Sequence, residues 1–410
     1  MAIVSEKLNL CHAVGPAELY GSPVHRWFVF PHSFSASLVN SILDWLGAGP
    51  HSVVLDPCLG AATTLVVCRT RGISAIGTDI MPLSVVVGTA KVSEYQVENI
   101  QTATDLLRTK LGKLSPIETH TDVTLLQRAF PPLAVGRVSQ IRDSIQCLLS
   151  VELRPFFLTA LARCFSRFGA IRRDGGWPRL IDKAELEPEL VDETFLASVN
   201  EMMADIKDEP GYFCKKRGSW TVSLGDMRSL QSEPLVDYII TSPPYLNKHD
   251  YTRIFTPELS LLGICSNAEL IDLRYRTMRS HVEARQPPST PQLPNIRELK
   301  AITNSLSSHS VDGQKVSCMV TGYFEDLLAF LTTCYAHLHD RGCVCLVISN
   351  VQFFGIQIPV DNITVHLGRK AGFELEEQWI LRYRGNSSQQ MAKFERMPSR
   401  ESVLFLRKKV

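Results

Sequence analysis

The chain has 410 residues, of which 45% are hydrophobic and 21% charged. That suits one large α/β domain with insertions, or two domains, and excludes global disorder. Lys plus Arg number 43 against 42 Asp plus Glu, which excludes a histone-like polycation and confines any nucleic-acid surface to a local patch.

The N-terminal ten residues carry Glu6, Lys7 and Asn9 and have no apolar signal core. No run approaches the roughly 20 apolar residues of a membrane span. The 11 cysteines are scattered singly and read as reduced, mostly buried thiols. Together these features predict a soluble cytoplasmic protein.

The clearest unit in chain order is a strand over 53–56, a turn of small residues over 57–64, a helix over 65–71 closed by Gly72, and a strand over 74–79. Two strands around one short helix make a βαβ unit and hence a parallel sheet. Residues 1–92 thus form an N-terminal element and the first half of the sheet. Helical periodicity dominates 93–220, as in 100–111 and 156–168, and predicts a mostly helical insertion. The sheet resumes at 221–224 and 236–241, within a segment 221–265. The stretch 266–320 is expected to be a variable loop region, with Pro287, Pro288, Pro291 and Pro294 opposing regular structure. In 321–410, Phe324, Leu327, Leu328, Leu331, Tyr335 and Leu338 share a helical face. A turn at 340–342, a buried strand at 343–348 and antiparallel strands at 376–383 and 401–407 follow.

Asp56 and Asp79 each end a strand, 23 residues apart. A tight turn of small residues after the first acid lets the backbone approach an adenosine-type cofactor, and an acid about 20 residues on can hold ribose hydroxyls. Thr241-Ser242-Pro243-Pro244-Tyr245 directly follows a buried strand, at the carboxyl edge where open α/β sheets bind ligands. Two prolines stiffen that turn and remove two backbone donors. The Ser242 hydroxyl and nearby carbonyls are left as acceptors beside the flat face of Tyr245. Acceptors with a stacking ring suit the exocyclic amine of a nucleobase.

On these residues the sequence resembles the S-adenosylmethionine-dependent amino-methyltransferases that modify DNA at cytosine N4 or adenine N6. TSPPY (241–245) matches their catalytic motif, VLDPCLGAATT (54–64) their first cofactor motif, and IGTDIMPLSV (76–85) their second. PHSFSASLV (31–39) resembles the element preceding the first motif, LGDMRSL (224–230) the third, and RESVLFLRK (400–408) the last strand. The resemblance implies a doubly wound, mostly parallel Rossmann-like α/β sheet with one antiparallel edge strand and a helical insertion. It implies S-adenosylmethionine held by Phe34, Ser35, Asp56, Pro57, Gly60, Ala62, Thr64, Asp79 and Asp226, with Asp79 on the ribose and Asp226 near the adenine. Catalysis falls to Ser242, Pro243, Pro244 and Tyr245. The serine form of the motif is commonest in the cytosine-N4 group, which favours that acceptor.

The chain departs from the family's Phe-x-Gly-x-Gly at 58–62, where it reads Cys58-Leu59-Gly60-Ala61-Ala62. The Ala62 methyl is expected to narrow the backbone's approach to the cofactor, since glycine permits conformations alanine resists. Pro57-Cys58 would suit a covalent cytosine-C5 mechanism, but that cysteine belongs on the later loop, which here is SPPY. Cys343 and Cys345 alternate onto one face of a buried strand, and no metal site is proposed. His249 reads as a solvated loop histidine. Asn247 and Asp250 are candidates for placing substrate. Arg172 and Arg173, with Arg167 and Arg179, and a second run of Arg274, Arg276, Arg279 and Arg285, are either solvated faces or phosphate contacts. DNA is the expected partner, without metal or membrane, in a bacterial or archaeal modification system with a cognate restriction enzyme or as a homodimer. An adenine-N6 enzyme, an RNA enzyme and a non-catalytic methyltransferase-like subunit remain open.

Overall fold

The computed structural model describes residues 3–168, 170–174, 177–181, 188–209, 218–230, 234–246, 249–285, 291–385 and 398–409. A strand β1 (Ile3–Glu6) and a helix α1 (Ala36–Leu46) precede the βαβ unit: β2 (Val53–Asp56), α2 (Thr63–Thr70), β3 (Ser74–Asp79), then α3 (Pro82–Val92). Helices α4 (Val97–Leu111), α5 (Thr124–Ala129), α6 (Pro132–Leu148), α7 (Arg154–Phe168) and α8 (Pro188–Asp208) follow, with a hairpin of β4 (Ile171–Asp174) and β5 (Trp177–Leu180) between the last two. The sheet continues with β6 (Trp220–Leu224), β7 (Val236–Thr241) and β8 (Leu338–Ser349). A small pair, β9 (Val351–Phe353) and β10 (Ile356–Ile358), precedes the final strands β11 (Phe373–Arg384) and β12 (Ser399–Lys408).

Eight strands form one sheet in the order β1-β11-β12-β8-β7-β2-β3-β6. β6, β3, β2, β7 and β8 pair parallel in turn, whereas β12 runs against both β8 and β11. The doubly wound, mostly parallel class is therefore present. The antiparallel strand, however, lies inside the sheet rather than at its edge. β8 reaches β11 through the helix Val360–Ala371, and β12 fills the slot between them. The edge passes to β1, which pairs parallel with β11.

The pleat sends alternate residues to opposite faces. Val54, Ile240, Cys343, Cys345 and Val347 pack against α1 and α2, and Leu55, Ile239, Val344, Leu346 and Ile348 meet the long helix Val311–His337 and the helix Val360–Ala371. Two local expectations change. The turn at 340–342 is absorbed into β8, where pairing steps from Val236–Leu338 to Tyr238–Cys343. The 266–320 stretch is largely helical, with helices Asn267–Arg276 and Arg297–His309 and the start of Val311–His337. A Ser266–Glu269 capping box starts the first of these. Leu299, Ile302 and Leu306 turn the second onto the core.

The 93–220 helices share a core with α3 and with Trp27, Phe28 and Phe30 of the N-terminal element. The Trp27 and Phe156 rings meet edge to face at 5.5 Å. Asp205 of α8, buried, accepts from the Val24 amide at 3.0 Å, from Trp27 Nε1 at 2.9 Å and from the Arg26 guanidinium. Among the described residues no helix is long and apolar enough to cross a membrane. Asp205→Ala leaves the buried Val24 and Trp27 N–H groups without their acceptor. A loss of about 2–4 kcal/mol in unfolding free energy is expected by urea titration.

Candidate functional site

Because β3, β2 and β7 are parallel neighbours, Asp56, Asp79 and Thr241 end side by side at one edge of the sheet. Asp56 is buried and accepts from Thr241 Oγ1 at 2.7 Å and from the Cys58 amide at 3.2 Å. Burial pushes its carboxyl up to about 6. Asp79, raised for the same reason, accepts from the amides of Gly60 and Met81, each at 2.8 Å. The turn after β2 is thereby tied to the acid at the end of β3.

Leu59 seats the same turn. Its amide donates to the Thr78 carbonyl at 3.0 Å, and its side chain fills the space left by two glycines. A Cβ on Gly77 or Gly88 would lie 2.6 or 2.7 Å from it. Lys91 of α3 holds the turn from behind. Its buried amine donates to the carbonyls of Ala61 at 2.8 Å, Phe28 at 2.7 Å and His25 at 3.0 Å. Burial lowers its pKa to about 7, yet three acceptors call for three N–H groups, which the ammonium alone supplies.

One cavity joins these elements to the second turn. Phe34, Asp56, Pro57, Gly60, Asp79 and Asp226 line it together with Ser242, Pro243, Pro244 and Tyr245. The Tyr245 hydroxyl donates to Glu401 of β12 at 3.0 Å, and Glu401 is held by Arg382 at 2.7 Å. Burial, then the Glu401 charge, pushes the phenol well up, so it stays a donor. Glu401, Lys91 and Arg228 escaped the sequence reading. The signal for Lys91 was a lone charge in an otherwise apolar helix, whereas Glu401 sits in the polar start of its strand, Ser399-Arg400-Glu401-Ser402, and gave none.

Several expected residues do other work. Ser35 lies outside the cavity lining and caps α1, accepting from the Leu38 amide at 3.4 Å; Ser33 lines the cavity instead. Ala62 also lies outside the lining, so its methyl does not narrow the approach. It starts α2 in the left-handed conformation, at φ 63°, where glycine is the easier residue. Thr64 is buried beneath the turn, with its hydroxyl 3.5 Å from the Ile240 carbonyl. Asp226 is in the lining, but the Arg228 guanidinium grips it at 3.0 and 2.6 Å and also reaches Asp326 at 3.1 Å. Asp250 is buried, caps the helix Tyr251–Ile254 and pairs with Arg274 at 2.9 Å. Both features turn it inward, and it is not among the residues lining the cavity.

Asn247 lies outside the described residues. The Arg172 and Arg173 backbones pair with Arg179 and Pro178 in the hairpin, and their side chains, with that of Arg167, also lie outside. The second arginine run is engaged internally. Arg276 pairs with Asp272, Arg279 with Asp326 and Glu325, and Arg285 stacks on the Tyr275 ring at 3.5 Å. His249 is half-buried in the lining and bonds His32, rather than standing in solvent. The Cys58 thiol is pushed well up by burial and by Asp56 and Asp79, which keeps it from acting as a thiolate.

The cavity fits an adenosyl sulfonium. Phe30, Phe34 and Tyr245 supply aromatic surface, Asp56 and Asp79 supply acids, and Gly60, at φ 49°, leaves the turn without a side chain. No family model matches the chain. M.AvaI, a Type II methyltransferase of Nostoc sp. and of Anabaena variabilis, is 26% identical to it over 428 residues, covering 94% of this chain and 86% of its own. M.BsoBI, a Type II methyltransferase of Geobacillus stearothermophilus, is 25% identical over 454 residues, covering 93% and 84%. Among solved structures, the rRNA methyltransferase aviRa of Streptomyces viridochromogenes covers 98% of this chain and 94% of its own at 11% identity and a TM-score of 0.31. That likeness is too loose to add to the topology. The resemblance carried by the motifs thus extends along nearly the whole chain, and methyltransferases of this type use S-adenosylmethionine.

The Asp56 carboxyl, at about 6 against an ordinary 3.8, is favoured in its protonated form by the fold. That stabilisation is complete below 3.8 and is lost as pH rises through about 6. Asp56→Asn is neutral throughout. It is expected to exceed the wild type in stability at pH 7 by up to about 3 kcal/mol, with the difference closing by about pH 4. Urea unfolding of both proteins across that range measures it.

Proposed function

We propose that the chain is a site-specific DNA methyltransferase acting on the exocyclic amine of a base swung out of the duplex, with cytosine N4 as acceptor, in a restriction-modification role. The observation that carries this is one cavity in which the Ser242–Tyr245 turn meets the acids of β2 and β3. The Type II naming of relatives that match almost the full chain supports DNA as substrate.

The bound donor supplies an electrophilic methyl group on a sulfonium. The chain's own residues do the rest. The amine lone pair of a nucleobase is delocalised into the ring and is a poor nucleophile. Hydrogen bonds from the amine to the Ser242 hydroxyl and the Pro243 carbonyl draw the nitrogen toward tetrahedral geometry and free that pair. The duplex hides the amine, so the base leaves the stack and rests on Tyr245, whose ring is anchored through its hydroxyl to Glu401. Positioning for in-line attack supplies much of the rate. The raised Cys58 thiol supports nitrogen rather than ring carbon as the acceptor. Serine in the motif, in place of Asp or Asn, supports cytosine over adenine. The 93–220 helices and the 266–320 stretch are the surfaces proposed to read the target.

Mass spectrometry of digested DNA after incubation with S-adenosylmethionine is expected to find N4-methylcytosine. N6-methyladenine would overturn the choice of base, and 5-methylcytosine the mechanism. Ser242→Ala is expected to lower kcat on the order of a hundredfold with donor affinity unchanged. Tyr245→Ala is expected to raise the KM for DNA about tenfold or more, since one base–aromatic stack contributes about 1–3 kcal/mol. Charge reversal at Arg172 and Arg173 is expected to weaken DNA binding and flatten its salt dependence by about one unit of log–log slope per lost phosphate contact. Filter binding at several salt concentrations reads both.

A further inference from the structure

A base that leaves the duplex brings its sugar and flanking phosphates toward the cavity, and those charges call for a cation at its rim. Two arginines after the SPPY turn are committed elsewhere, Arg274 to Asp250 at 2.9 Å and Arg279 to Asp326 at 2.7 Å. Sheet direction supplies another candidate. β11 runs against β12 and β12 against β8, while β8, β7 and β2 run together. The C-terminal end of β11, where Arg384 stands, therefore lies at the same edge as Asp56 and Thr241.

Arg382 and Arg384 are two apart on one strand and so face the same side. Both meet Glu401, the carboxylate that accepts from the Tyr245 hydroxyl at 3.0 Å. Arg382 lies 2.7 Å from it and Arg384 3.8 Å. One carboxylate thus faces two guanidiniums, and the closer one takes most of its charge. The Glu401 side chain is 1% exposed, that of Arg384 52%. Arg400, across the hairpin, is held by Asp361 and by Asn362. Among the described residues, Arg384 therefore carries a positive charge into solvent beside the anchor of the Tyr245 ring. Its field reaches the cavity wall. His32 falls to about 4 through burial, then the His249 ring, then Arg384, and His249 falls through burial, then Arg384.

We propose that Arg384 binds the phosphodiester flanking the swung-out nucleotide whose base rests on Tyr245, an inference that rests on the function proposed above. A guanidinium presents a planar fork of N–H donors that matches two phosphate oxygens. Glu401 then serves both halves of the nucleotide. One of its oxygens fixes the ring beneath the base, and the other, at 3.8 Å, steers Arg384 without neutralising it. Such a contact fixes the register of the backbone and carries no sequence information of its own.

The test uses full-length wild type, Arg384→Ala and Arg384→Lys, with melting temperature and donor affinity as controls of folding. The wild type first maps its methylated site in genomic DNA from a methylation-deficient bacterium with labelled S-adenosylmethionine. Duplexes bearing that site are then made with each phosphate flanking the target nucleotide replaced in turn by a neutral methylphosphonate. Arg384→Ala is expected to raise the KM for DNA about threefold or more and to lower the log–log salt slope of binding by about one. Arg384→Lys, which keeps the charge without the fork, is expected to regain part of both. At one flanking position the methylphosphonate is expected to weaken the wild type and add nothing to Arg384→Ala. If Arg384→Ala keeps the salt slope, or loses kcat alone through a displaced Tyr245, the phosphate contact is overturned and the function stands. The same follows if every methylphosphonate weakens wild type and variant equally. If the wild type labels no base nitrogen, the function fails and the contact with it.

Discussion

The site depends on β2 and β7 lying side by side and pointing the same way. Parallel pairing puts the ends of both strands at one edge, where the Thr241 hydroxyl meets the Asp56 carboxylate at 2.7 Å. A one-strand change in sheet order would separate the turn after β2 from the turn after β7. The hydrogen bond crosses 185 residues of chain and ties the end of β7 to the end of β2 at one edge of the sheet. Loops at the carboxyl edge of a parallel sheet recur as ligand sites because the rigid strands hold them.

Around that contact the fold places an unusual amount of buried charge. Asp56, Lys91, Asp326 and Glu401 are each at most 1% exposed. Each is compensated differently: Asp56 by a hydroxyl and an amide, Lys91 by three carbonyls, Asp326 by Arg228 and Arg279, and Glu401 by Arg382 and the Tyr245 hydroxyl. Replacing such pairs by apolar residues is often neutral or stabilising, so stability alone gives no reason to keep them. Their common effect is to lock the walls of one cavity. Lys91 joins the N-terminal element to the cofactor turn, and Glu401 joins the SPPY turn to the far half of the sheet.

The residues that departed from expectation share a cause. Ser35, Thr64 and Asp250 are small or acidic groups next to helix starts or strand ends, where backbone N–H groups and neighbouring carbonyls compete for them. Ser35 and Asp250 became caps, and Thr64 sank beneath its turn. Ala62 kept the backbone conformation that glycine ordinarily supplies while turning its methyl away from the cavity. Of the arginines after the SPPY turn, Arg274 and Arg279 are drawn into ion pairs with Asp250 and Asp326, while Arg276 pairs with Asp272 at the surface and Arg285 stacks on Tyr275.

By itself the sequence determined what local chemistry determines. The strand runs ending in Asp56 and Asp79, the small-residue turn after the first, the proline-stiffened turn at Ser242–Tyr245 and the helical character of α4 and α7 were all legible, because each depends on neighbours a few residues away. Tertiary structure decided which strand edges adjoin and therefore which distant side chains meet. β12 lies inside the sheet, between β8 and β11, with Leu404 and Leu406 buried on one face and Val403 and Phe405 on the other. Tyr245 finds Glu401 across 156 residues and His249 finds His32 across 217. Spacing along a chain carries no information about such pairs. They form only once a folded sheet has brought the ends of its strands to one edge.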